Sequence, residues 1–205
     1  MPEPDEGWLE LLAMGLTFDL SGLVPLAPAS AAPPEHYFGV DRTAIGDTKE
    51  IVRLCPGPHL SGANRMLPVL RVLAGLGAEL ARLPGILAVS WESASSRMAP
   101  AYFMGAIRAW LSGGAFPALG LTGLIRRDDG GLETRGFSLF SGYELTVEPV
   151  SGETPQEAAK LASRVMHHIV QFGDKGLDGI ADARGHHVVS DAVTSDGLMR
   201  LWRRG

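Results

Sequence analysis

The chain has 205 residues, 45% of them hydrophobic and 20% charged, with a formal net charge of -5 and a sequence pI near 5.7. That length closes one core and is short for two, so a single domain is expected. The acidic balance gives a phosphate backbone nothing to gain from counterion release, which sets nucleic acid aside as a partner. The lone cysteine, Cys55, rules out an intrachain disulfide and makes a cytoplasmic setting the default.

The opening residues, Met-Pro-Glu-Pro-Asp-Glu, are acidic where a signal peptide is basic. No apolar run reaches the roughly 18 residues that span a bilayer, so neither secretion nor membrane insertion is expected. Met14, Leu16, Phe18 and Leu20 alternate with Gly15, Thr17 and Asp19, which predicts a first strand with one buried face. The proline-rich stretch near 24–37 reads as a surface loop, with Tyr37 and Phe38 as exposed aromatic anchors for a partner. "EIVRL", Glu50 to Leu54, predicts a short strand stopped by Pro56-Gly57-Pro58.

From Asn64 to Leu83, Leu67, Leu70, Leu73, Leu76, Leu80 and Leu83 recur at spacings of three and four, which predicts a helix burying that face. Gly75 and Gly77 inside it point to close approach to a sheet. "GILAVSW", Gly85 to Trp91, predicts a buried strand, and Ala99 to Leu111 a second helix with Phe103, Ile107, Trp110 and Leu111 inward. "ALGLTGLIRRDDGGLETRGFSLFSGYELTVEP" reads as a three-stranded antiparallel meander with turns at Asp128 to Gly131 and Ser141-Gly142. A third helix starts with a Thr154…Glu157 capping box and Pro155 at its first position, and stops at Gly173. The tail predicts strands at His187 to Ser190 and Leu198 to Trp202. The expected class is α+β: two layers, a largely antiparallel meander-containing sheet with about three helices on one face.

Four of the six histidines stand in two doublets, His167-His168 and His186-His187. Adjacent helical residues diverge by about 100° and adjacent strand residues point to opposite faces, so each doublet offers one metal ligand at most. A zinc site would need His168, His187 and His59, or a carboxylate such as Asp174 or Asp191. The bland reading is packing, and no metal is expected. In "CPGPH", Cys55 and His59 flank a rigid turn, where a thiolate–imidazolium pair is the catalytic reading and a small core hydrophobe the plain one. Trp91, Glu92 and Arg97, with Ser93, Ser95 and Ser96, form a candidate binding loop before the second helix, against serines that merely cap it. Glu133, Arg135, Glu144 and Glu148 read as the wet face of the meander. No nucleophile elbow, phosphate-binding glycine loop or Cys-x-x-Cys is present, so no cofactor is expected.

Trp91, "APAYF", "FPALGL" and above all "GLETRGFSLFSGYELTVEP", Gly131 to Pro149, resemble the uncharacterised bacterial domain-of-unknown-function family 4261, over roughly residues 50 to 175. Thr134, Gly136, Phe140, Gly142, Glu144, Leu145 and Val147 occupy the positions of that family's strand-pair pattern, with Ser141 inserted. The resemblance implies an α+β domain in a bacterial cytoplasm and brings no activity, cofactor or site residue. The expectation is therefore a non-catalytic module that binds a protein partner or forms a homo-oligomer, in an accessory or immunity-like role. Trp91, Glu92, Arg97 and Glu144 are its candidate binding residues. The alternative is a hydrolase using Cys55-His59 or a histidine-rich metal site.

Overall fold

The computed structural model describes residues 7–24, 33–41 and 50–205. In chain order the elements are β1 (Trp8–Ala13), β2 (Leu16–Ser21), β3 (His36–Phe38), β4 (Arg53–Pro56), α1 (Leu67–Leu80), β5 (Val89–Trp91), β6 (Ser96–Met98) and α2 (Pro100–Leu111). Then follow β7 (Gly123–Arg126), β8 (Leu132–Arg135), β9 (Glu144–Val147), α3 (Pro155–Phe172), β10 (His187–Ser190) and β11 (Leu198–Arg204). A kinked turn at Ala118–Leu121 precedes the meander, and a single helical turn at Ser138–Ser141 lies in the connection from β8 to β9. Helices and mostly antiparallel sheets are mixed along the chain, and the class is α+β.

The principal sheet has the order β10-β11-β9-β8-β7. β7, β8 and β9 form the expected antiparallel meander, β11 joins β9 in parallel, and β10 returns antiparallel on the outside. α3 lies over one face of this sheet. Leu161, Ala162, Val165, Met166 and Ile169 meet Leu132, Leu145, Val147, Val188, Met199 and Leu201 in one continuous apolar cluster. Its start is the one the sequence predicts: Glu157 N–H donates to Thr154 Oγ1 at 3.2 Å, and Thr154 N–H donates to the Glu157 carboxylate at 2.8 Å. Gly173 ends it.

Two smaller sheets, β1-β2-β4 and β3-β6-β5, complete the strands of the described residues. The first departs from expectation at its start. Met14 and Gly15 are a turn rather than strand, both in the left-handed region at φ 51° and 78°, and the residues before them, Trp8–Ala13, are a strand paired with β2. That two-residue turn needs positive φ twice, a geometry matched to strand twist; methionine in place of the usual Asn or Asp hides the signal. β4 begins three residues later than predicted and ends two later, at Pro56. Pro56 is tolerated in it because β4 is an edge strand whose outer side needs no donor.

Residues 25–32 of the proline-rich stretch lie outside the described residues. Its end is not loop: His36–Phe38 pair in parallel with β6, and Phe38 stacks on Tyr102 at 5.6 Å, so Tyr37 and Phe38 are half-buried strand residues rather than exposed anchors. α1 also turns differently from its leucine pattern. Val69, Leu70, Ala74 and Ala78 are its buried residues, and Leu83 is 54% exposed beyond its end. Small residues face inward because α1 packs chiefly on α2, with β4 as a lesser neighbour. A Cβ at Gly75 would stand 3.3 Å from Leu111, and one at Gly77 would stand 3.4 Å from Phe103. The inward set of α2 is Phe103, Ile107 and Trp110, with Leu111 left at the rim. The strand predicted from Gly85 begins only at Val89.

Candidate functional site

The histidine doublets resolve into four local bonds. His167 Nδ1 accepts from the backbone N–H of Phe116 at 3.1 Å, which ties α3 to the loop that carries an aromatic core residue. His168 Nε2 bonds the carbonyl of Lys175 at 2.8 Å, and His187 Nδ1 bonds the carbonyl of Asp178 at 2.8 Å. One histidine from each doublet therefore pins the same connection between α3 and β10. His186 sits on Asp182, whose carboxylate accepts the N–H groups of Arg184 and His186 and meets the His186 ring at 3.2 Å. Burial opposes ionisation of Asp182, but those donors outweigh it and hold the carboxyl below its usual range. Among the described residues, no three His, Cys, Asp or Glu side chains are grouped to hold a metal ion.

The two loop candidates are placed but not joined. Cys55 is an exposed residue of β4, and His59 is exposed in a short 3-10 turn, Pro58–Leu60. No hydrogen bond links them among the described residues. Partial desolvation, reinforced by Glu92 and Asp19 against Arg53, pushes the Cys55 thiol up, the opposite of what a nucleophile needs. Trp91 ends β5 and stacks on Phe140, with its indole nitrogen buried and unpartnered. Glu92 pairs with Arg53 at 2.6 Å, while Arg97 Nε donates to Ser90 at 3.2 Å. The serines between them cap no helix. Ser95 takes a left-handed turn, Ser96 lies in β6 and donates to Gly120 O, and α2 starts at Ala99-Pro100 without a side-chain cap.

Glu144 is the residue whose role changes most. Thr134 takes the N–H of Leu145 at 2.8 Å, and its hydroxyl donates to Glu144 at 2.6 Å, so β8 and β9 part beyond Glu133. Into that gap turns the Glu144 carboxylate. It accepts the N–H groups of Gly136 at 2.8 Å, Ser138 at 3.0 Å and Phe137 at 3.1 Å. This carboxylate does the work of missing ladder and helix-end partners. Gly136 is required twice: its φ is +78°, and any Cβ would collide with the backbone of Ser93. The Thr-x-Gly…Glu pattern is thus an internal knot that also seats the Trp91 loop. Two more residues of the expected wet face are paired: Arg135 with Glu35, and Glu148 with Arg200 at 2.9 Å and Arg127 at 3.4 Å.

A run of unpaired backbone groups lies at the N-terminal hairpin. Among the described residues, β1 is an edge strand with only β2 beside it. In a two-residue hairpin the closing pair, here Ala13 and Leu16, exchanges both backbone bonds, so Trp8, Glu10 and Leu12 turn their N–H and C=O groups outward. Along the same edge Leu9 is 49% exposed, Leu12 76% and Met14 89%. No family model, curated protein or solved structure matches this chain.

Natural edges are shielded by lysine, proline, bulges or a covering element, whereas β1 carries one charge, Glu10, and no proline. Sequence reading missed this edge because the adjacent Leu11 and Leu12 put apolar side chains on both faces and blur the alternation. A recess of about 500 Å³ lies elsewhere, open beside the β7–β8 turn and lined by Ile125 to Asp129. Among the described residues no helix is long and apolar enough to cross a membrane.

Proposed function

We propose that this protein works by association, as a non-catalytic module that binds a protein partner or a second copy of itself through the outer edge of β1. The observation that carries the reading is that edge: backbone groups unpaired among the described residues, beside Leu9, Leu12 and Met14. An added strand would satisfy both the hydrogen-bonding and the apolar demand at once. It is supported by the fate of the polar residues with chemical potential: Glu144, Asp182, His167, His168 and His187 are all engaged in bonds that hold the fold. An accessory or immunity-like role in a bacterial cytoplasm, the setting of the family 4261 resemblance, suits such a module. The test is a photo-crosslinking amino acid at Leu12 in living cells, with the exposed helical position Glu79 as control. Adducts at position 12, lost when Glu10 is replaced by proline, are the expected result. Equal yields from the two positions would sink the reading.

A further inference from the structure

We propose that the occupant of the β1 edge is the β1 edge of a second copy, run antiparallel about a two-fold axis at Leu11. The inference rests on the association reading above and names its partner. Trp8, Glu10 and Leu12 have outward backbone groups, so a paired strand must match even-numbered residues with even-numbered ones.

Any residue of the strand can carry the two-fold axis under this parity, but an axis at Glu10 or Leu11 pairs five residues of Trp8–Ala13 with their mates and one at Leu9 or Leu12 only three. With the axis at Glu10, two carboxylates would lie directly opposite each other, which like charges disfavour. With it at Leu9, Leu12 and Met14 would stay uncovered. With it at Leu11, Glu10 faces Leu12 of the second copy, Leu9 faces Ala13, and Trp8 lies beside the turn that carries Met14. The two most exposed apolar side chains of the hairpin are then covered, and no charge meets its like. The faces agree as well. Leu9, Leu11 and Ala13 share the side of β2 that carries the buried Leu20 and Phe18, so the pairing continues an apolar face across the axis into a six-stranded sheet. One strand supplies both halves of the contact, the isologous form most soluble oligomers adopt.

The experiment is light scattering on a sizing column, with sedimentation, for the wild type and Leu12→Lys. At roughly 100 μM, where mass action favours even a weak dimer, the wild type is expected at twice the chain mass of 21.8 kDa. Leu12→Lys is expected at the single-chain mass with an unchanged melting temperature, because Leu12 is 76% exposed. Met14→Lys is the second variant. In a Cys55→Ser background, Leu11→Cys sits on the axis opposite its own mate and is expected to form a disulfide-linked dimer under a mild oxidant, whereas Leu9→Cys, opposite Ala13, is not.

A wild type that stays monomeric at that concentration overturns the inference, as does a dimer indifferent to Leu12→Lys and to Met14→Lys. A monomer that still gives position-12 adducts with a different protein overturns self-pairing alone. The association reading falls only if position 12 also yields no more adduct than position 79.

Discussion

Glu144 shows how little a residue's type says about its use. A carboxylate on a strand beside other charges looks solvated, yet here it collects three backbone N–H groups and a hydroxyl. Glu144→Ala leaves those donors without a partner; each unsatisfied buried donor costs roughly 1–3 kcal/mol, partly relieved here by water, so a loss of about 3 kcal/mol is expected in urea titration. His36 carries the clearest pH signal. Burial is the main cause that lowers its pKa from the ordinary 6.5; Glu35 opposes and Arg135 adds to the effect. Its Nε2 is buried without a partner. The unfolded chain then binds the proton more readily, so this residue's contribution to stability falls as pH drops through 6.5 towards the folded value. Melting temperatures of the wild type from pH 7.5 to 5.5 should decline more steeply than those of His36→Phe. Parallel curves would remove His36 from the account.

At the scale of elements, local chemistry and long-range pairing part company. α3 was legible because its stop and start signals are neighbours in sequence: Thr154, Pro155, Glu157 and Gly173. Thr154→Ala should cost about 1 kcal/mol by thermal or denaturant unfolding, the usual worth of an N-cap. The hairpin was half legible. Leu16 to Leu20 alternate, but the positive φ of Met14 and the doubled leucine in β1 concealed its other half. Periodicity placed α1, overran it by three residues at each end and misled about its face, because a helix that must approach another closely buries its alanines and leaves some leucines at the rim. Gly136→Ala tests the knot as an element. The clash with Ser93 and the left-handed backbone both oppose it, so a loss larger than the roughly 1 kcal/mol of an ordinary glycine-to-alanine mismatch is expected.

Across the whole molecule, the chain is closed by its last strand. Arg203, with a side chain only 2% exposed, reaches from β11 to Glu153 with two bonds of 2.6 and 2.7 Å and to the carbonyl of Glu148 at 2.6 Å. That clasp joins the end of the chain to the segment that leads into α3. Removing one member of a buried pair strands the other, so Arg203→Ala should cost about 3 kcal/mol or more in denaturant unfolding. Arg203→Lys should recover part of it, since lysine keeps the charge and loses the fork. Full stability in Arg203→Ala would show the clasp to be ornamental. The histidine doublets act at this scale as well: His168 and His187, nineteen positions apart in sequence, both hold the 174–179 connection. Adjacency argued against a shared ion; it was silent on this shared loop.

By itself the sequence determined what near neighbours decide: the α+β mixture, the three helices, the meander and the cap at Thr154, all set by periodicity and turn chemistry over a few residues. Only the tertiary structure decided where β8 and β9 part to admit Glu144, which face of α1 turns inward, which partners the histidines take, and that among the described residues β1 is left with a bare edge. Each of these depends on which segment lies beside which. That is set by burial of the whole apolar surface at once, with partners as far apart as the 100 positions between Glu35 and Arg135.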